Sequence, residues 1–137
     1  MSNCFILIVA NIYDSFGNRK NSLEEFYNRI RNNSWNLNHS TANKELIQEG
    51  DRVAFYVSEG RKIVGQAVIS EKISLNNKND ISYKLSFSNI KIFKSQISFL
   101  DKLKLSSMKP NNLSKWGVIV MGGLRKISNS DFEIFTN

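Results

Sequence analysis

The chain has 137 residues, 41% of them hydrophobic and 23% charged, which suits one domain spanning 1–137 with a real core and excludes a disordered polymer or a second full domain. One cysteine and one histidine exclude an internal disulfide framework and a Cys/His metal site, and point to a reducing, cytoplasmic setting. With 19 Lys+Arg against 12 Asp+Glu the net charge is +7, a field that attracts phosphate polymers. Phe5 to Ala10 is apolar but far too short to span a membrane, and it lacks the basic start and cleavage site of a signal peptide.

In chain order, Phe5-Ile-Leu-Ile-Val-Ala10 is a continuous apolar, partly β-branched run, the pattern of a central strand buried on both faces. Asp14 to Asn21 is polar and reads as a loop. Leu23, Phe26, Tyr27 and Ile30 then share one helical face, with Ser22 placed as N-cap, Glu24 and Glu25 in the first turn and Arg29 and Arg31 near the end, where the helix dipole favours each. Trp35 follows in an asparagine-rich segment, where a large aromatic either anchors a loop to the core or walls a pocket. Thr41 to Leu46 could form a short helix. Gly50-Asp51 is a turn feeding a strand over Arg52 to Ser58, and Glu59-Gly60 turns the chain into a partner strand from Lys62 to Ile73.

Gly65 in the middle of that partner suggests a bulge or the close approach of another backbone. After a polar turn at Asn76 to Asp80, Ser82 to Phe93 reads as the next strand, with Tyr83, Leu85 and Phe87 on one face and a register break before Ile90, Ile92 and Phe93. Phe99 to Leu105 has helix-like spacing. Trp116 is assigned to the core ahead of an expected buried strand, Val118 to Met121, which breaks at Gly122-Gly123 and resumes over Leu124 to Ile127. Ser128 to Asp131 has capping-box shape and opens a short helix with Phe132 and Phe135 on its apolar stripe. Long strands with short peripheral helices give an α+β domain round a strongly curved sheet or small barrel.

Catalysis is poorly supported. Cys4 opens the first strand and reads as a buried structural thiol, and His39 has no nucleophile motif round it. Carboxylates occur singly, without a paired acid/base arrangement. No Walker A, dinucleotide fingerprint or zinc spacing is present, so neither cofactor nor metal is expected and the chain is read as non-enzymatic. What remains is a binding site. Asn11, at the exit of a central strand, offers both a donor and an acceptor, and serves equally well as a turn cap.

The pattern resembles the EVE domain family, small PUA-like domains related in fold to the YTH readers of methylated adenine. The resemblance is carried, over nearly the whole length, by Phe5 to Asn11 as first strand and polar exit, Trp35 with Asn43, Ile47-Gln-Glu-Gly-Asp-Arg-Val-Ala-Phe-Tyr-Val57, Ile63-Val-Gly65, Ile90-Lys-Ile-Phe93, Ile97-Ser-Phe99, and Trp116-Gly117 with Gly122-Gly-Leu-Arg-Lys-Ile127. Three features depart from it. The stretch before Trp35 is longer, Ala42 stands where an arginine is frequent, and Lys91 falls where YTH readers place an aromatic.

The resemblance implies an α+β, PUA-like curved mixed β-barrel with short peripheral helices and a pocket between barrel and Trp35 loop. Such domains accept a flipped or unpaired base there, often methylated or hydroxymethylated. Carried over, Trp35 is the stacking wall with Asn36 and Leu37 on its rim. Asn11 reads the base edge with backbone help from Val9 and Ala10, and Asn43 contacts the base or braces the loop. Ser58, Lys62 and Arg125 supply pocket polarity or phosphate contact. The expected partner is nucleic acid, modified DNA ahead of RNA, with an effector nuclease or modification enzyme encoded nearby and no membrane. The alternative is a small-molecule pocket protein binding a free nucleobase or nucleoside-like ring.

Overall fold

The computed structural model describes residues 2–10, 12–13, 16–75 and 80–137. Its elements in chain order are β1 (Cys4–Val9), β2 (Ile12–Tyr13), β3 (Arg19–Lys20), α1 (Ser22–Asn32), β4 (Trp35–Asn38), β5 (Arg52–Val57), β6 (Lys62–Ser74), β7 (Ile81–Ser98), α2 (Phe99–Leu103), a 3-10 helix (Leu113–Val120), β8 (Leu124–Ile127) and α3 (Asn129–Thr136). Six strands form one mixed, curled sheet in the order β4-β7-β6-β5-β1-β8, and β2 and β3 make a separate two-stranded ribbon. β1 runs parallel to β5 and antiparallel to β8. It is central, as its unbroken apolar run requires.

The two faces of β1 go to two cores. Phe5, Leu7 and Val9 join Phe26, Trp35, Phe55 and Phe87 on one side, while Cys4, Ile6 and Ile8 join Tyr56, Phe99, Phe132 and Phe135 on the other. α1 covers the first core and α2 and α3 pack into the second. The burial of Cys4 pushes its thiol above the usual range, as expected of a structural cysteine.

The Gly50-Asp51 turn is held by a buried carboxylate. Asp51 Oδ1 accepts from Asn3 N and Oδ2 from Gln48 N, both at 2.8 Å, and Gly50 takes a φ of +90° that an L side chain rarely adopts. Gly65 meets the expectation of a close approach. A Cβ there would lie 2.7 Å from Lys91 O, and the β6–β7 register shifts on either side of it. Asn89, at φ +52°, sits within the bulge expected before Ile90.

Four local expectations are corrected. Asn21, not Ser22, caps α1: its side chain accepts from Leu23 N at 2.8 Å, and Ser22 is the buried first helical residue whose hydroxyl accepts from Glu59 N. Tyr27 is 38% exposed at the margin of the helix's apolar face. Thr41 to Leu46 is a series of turns rather than a helix, because Asn43 adopts φ +60° and breaks any helical run. The stretch Val118–Met121 is not a strand but the end of the 3-10 helix and its exit. Residues three apart eclipse in that geometry, so Trp116 and Ile119 both turn to the second core while Val118 and Met121 are left exposed. The turn read at Asn76 to Asp80 lies, apart from Asp80, outside the described residues. No helix among the described residues is long and apolar enough to cross a membrane.

Candidate functional site

The end of α1 sets the position of Trp35. Asn33 takes the left-handed conformation at φ +47°, and its N–H closes the helix on Arg29 O and Ile30 O. Its side-chain amide then imitates a strand residue. Nδ2 donates to Phe87 O at 3.1 Å and Oδ1 accepts from Phe87 N at 2.7 Å. The chain therefore leaves the helix already attached to β7, and β4 follows in register, Trp35 opposite Leu85.

The alternating burial of β4 sends Trp35 and Leu37 inward and Asn36 and Asn38 outward. Trp35 is only 2% exposed. It stacks on Phe55 at 5.4 Å between centroids and meets Phe87 edge-on at 6.0 Å. The guanidinium of Arg29 lies over the indole, 4.7 Å from its centroid. Trp35 is thus part of the core and also borders a cavity.

That cavity, about 280 Å³, is lined by Ile8, Arg29, Trp35, Asn36, Leu37, Asn38, Thr41 and Gly123. It occupies the seam where the curled sheet brings its two edge strands, β4 and β8, toward each other. The β1–β8 pairing runs only to Leu7 opposite Leu124, with one further bond from Ile8 N to Gly123 O at 2.9 Å, so the exit of β1 passes beyond β8 beside the cavity. The loop after β4 bridges the seam. Ala42 N donates to Gly122 O at 3.1 Å and Asn43 Nδ2 to Leu124 O at 3.3 Å. A Cβ on Gly122 would sit 3.1 Å from Ala42 Cβ, so this crossing needs a small residue on each side. Lys72 anchors the far end of the loop, donating from Nζ to Ile47 O at 2.7 Å and Lys44 O at 2.9 Å, and Tyr83 donates to the Glu45 carboxylate. Burial of the Lys72 ammonium lowers its pKa, a shift that Glu45 and Asp51 oppose.

A second cavity, about 300 Å³, adjoins the first and shares Arg29 and Asn36 with it; Glu25, Asn28, Asn32 and Ser34 complete its lining. Arg29 is fixed between the two. Its Nε donates to Glu25 Oε1 at 3.1 Å, and Lys20 Nζ lies 2.8 Å from Glu25 Oε2. Burial alone would raise the Glu25 carboxyl, but the hydrogen bonds and charge of Lys20 and Arg29 outweigh it and hold the group below the usual glutamate range. With two cations on one carboxylate, the wall stays net positive.

Of the residues expected at the site, Trp35, Asn36 and Leu37 come together round the first cavity. Asn43 faces β8 as a brace. Val9 ends β1 buried, its carbonyl accepting from Ser58 N at 3.0 Å, and the Ser58 hydroxyl donates to Ser22 Oγ at 3.4 Å; Ala10 is exposed just beyond. Lys62 stands opposite Val57 at the start of β6, and Arg125 opposite Ile6 within β8. None of Val9, Ala10, Asn43, Ser58, Lys62 and Arg125 is among the described residues lining either cavity, and Asn11 lies outside the described residues. Arg29, Asn38, Thr41, Ile8 and Gly123 were missed by sequence reasoning. For Arg29 a signal existed: Glu25, Asn28, Arg29 and Asn32 fall at i, i+3, i+4 and i+7, a polar stripe on the helix that carries Phe26 and Ile30 on its buried face. Among the described residues no group of three or more His, Cys, Asp or Glu could hold a metal ion.

Neither a protein-family model nor a curated relative matches the chain. Solved structures do. Human THYN1, in complex with DNA containing 5-methylcytosine, is 13% identical with TM-score 0.61, over 96% of this chain and 94% of that one. The N-terminal domain of McrB from Staphylothermus marinus is 11% identical with TM-score 0.62, over 98% and 93%. The ASCH protein of Zymomonas mobilis is 8% identical with TM-score 0.56, over 96% and 92%. At these identities the likeness is one of fold, and it extends over nearly the full length of each partner. The chain has the PUA-like fold of these structures, a curled mixed sheet of six strands with short peripheral helices.

Proposed function

We propose that this chain is a non-catalytic nucleic-acid-binding module that receives a modified base, methylated or hydroxymethylated and flipped or unpaired, in the seam cavity beside Trp35. The observation that carries the proposal is the make-up of that cavity. An indole borders it, the amides of Asn36 and Asn38 and the hydroxyl of Thr41 line it, and the Arg29 guanidinium lies over the aromatic ring. Its volume of about 280 Å³ is at the low end of ligand sites, a size for one flat ring system. Planar amides match the mixed donor and acceptor edge of a base, and a guanidinium offers a stacking plane as well as charge. Extruding a base costs a few kcal/mol of stacking and pairing, which stacking on the Arg29 guanidinium and edge contacts with the amides recover. Burying one added methyl contributes about 0.8 kcal/mol more.

Two further features support this reading. The net charge of +7 favours a phosphate polymer over a free ring. THYN1, of the same fold, was captured with DNA containing 5-methylcytosine, which puts modified DNA ahead of RNA as the partner. Asn43 acts as the brace of the loop, and Asn11, Val9 and Ala10 serve at the strand exit. Ser58 steadies that exit, while Lys62 and Arg125 meet phosphates outside the pocket. Any cleavage or modification of the nucleic acid falls to a partner protein.

The test is fluorescence anisotropy with oligonucleotides carrying one 5-methylcytosine, 5-hydroxymethylcytosine or N6-methyladenine against unmodified controls, over a series of salt concentrations. Tighter binding to at least one modified strand, weakening steeply with salt, is expected. Asn36→Ile should remove the preference while leaving the salt-dependent background, because isoleucine suits a strand but fills the cavity and lacks the amide. Salt-insensitive binding of a free nucleoside, with no gain from phosphates, would instead establish the small-molecule alternative.

A further inference from the structure

The second cavity is built differently from the first. Helix α1 contributes Glu25, Asn28, Arg29 and Asn32 from one stripe, and the start of β4 contributes Ser34 and Asn36. No aromatic or aliphatic side chain is among these described residues. The carboxylate of Glu25 is already engaged by Arg29 and Lys20, so it does not repel phosphate. What faces the space is three asparagine amides, a serine and a guanidinium. Asparagine amides carry a donor and an acceptor side by side and pair with base edges in two-point contacts.

The cavities are not independent. Arg29 and Asn36 line both, so a strand whose modified base occupies the seam cavity carries its neighbouring nucleotide past that shared wall. The guanidinium there, fixed by Glu25 at 3.1 Å and by the Trp35 ring, is placed to meet the phosphate joining the two nucleotides. We infer that the amide-lined cavity between α1 and β4 is a second nucleotide subsite, which reads the base flanking the modified one through Asn28 and Asn32. The inference rests on the reading of the seam cavity as the modified-base pocket and adds sequence context to it.

Asn28 is half-buried and Asn32 exposed on the cavity side of α1, neither is in the core, and alanine is a better helix former than asparagine, so Asn28→Ala/Asn32→Ala is expected to fold. The experiment measures affinity for oligonucleotides carrying the same modified base with each of the four nucleotides on either side. The wild-type protein should distinguish the best from the worst neighbour by about three- to tenfold, the span supplied by one or two hydrogen bonds. The double variant should flatten that range to less than about twofold while keeping the ratio of modified to unmodified affinity. A flat wild-type profile with the modified-base preference intact would overturn the subsite alone, as would a context preference that the double variant leaves unchanged. Absence of any modified-base preference in the wild type would remove the underlying reading and the subsite with it.

Discussion

Trp35 illustrates how one side chain packs in the core and also borders the cavity proposed as the site. Its indole is packed against Phe55 and Phe87 and lies beneath Arg29, so a ring entering the cavity would meet the guanidinium plane and only the small part of the indole left exposed. Removing the indole therefore tests packing more than recognition. Trp35→Ala is expected to lose about 3–5 kcal/mol of stability, measured by urea unfolding, in line with other buried large-to-small changes. Asn36, exposed on the same strand, is the cleaner probe of the pocket. Glu25 gives a pH-dependent handle. Its carboxyl is held below the usual range of about 4.3, so the stability it contributes is fully present above that range. That contribution is lost as the pH falls through the lowered value, where the unfolded chain has already taken up its proton and the folded one follows. Thermal melts of wild type and Glu25→Gln from pH 3 to 6 should converge at the acid end and separate, wild type higher, toward pH 6.

At the scale of elements, the long strands β6 and β7 depend on one close approach. Gly65→Ala would place a methyl 2.7 Å from Lys91 O, against backbone, and is expected to cost about 1–3 kcal/mol by denaturant midpoint. An unchanged midpoint would mean that the bulge at Asn89 yields freely. Gly65 was legible in the sequence because a glycine inside a β-branched strand has few other reasons to be there. The same holds for β1, whose unbroken apolar run could be satisfied only between two cores, and for Ser128 as cap of α3. The stretch Val118–Met121 misled for a physical reason. An apolar β-branched run looks alike as a buried strand or as a 3-10 helix burying every third residue, and only the neighbouring elements decide. The cavity was legible only in part. Trp35, Asn36 and Leu37 share a strand, but Arg29, Thr41 and Gly123 reach it from a helix, a loop and the opposite sheet edge, and no sequence spacing ties them together.

For the whole molecule, the curl of a six-stranded sheet leaves a seam rather than a closed barrel, and the loop carrying Ala42 and Asn43 spans it. The fold supplies the opening; the polar stripe of α1 and the inward aromatic of β4 give it chemistry. A net charge of +7 gives any phosphate polymer a salt-dependent attraction that carries no base information by itself. Recognition of a modification must then appear as a difference between modified and unmodified strands at one fixed salt concentration. The measurement that tests this most directly is the ratio of those two affinities, taken for the wild type and for Asn36→Ile on the same oligonucleotides. A ratio above one in the wild type that falls to one in the variant, with unmodified binding unchanged, is the expected result; a ratio of one in both, or a wild-type preference that the filled cavity leaves intact, would contradict a modified-base pocket beside Trp35.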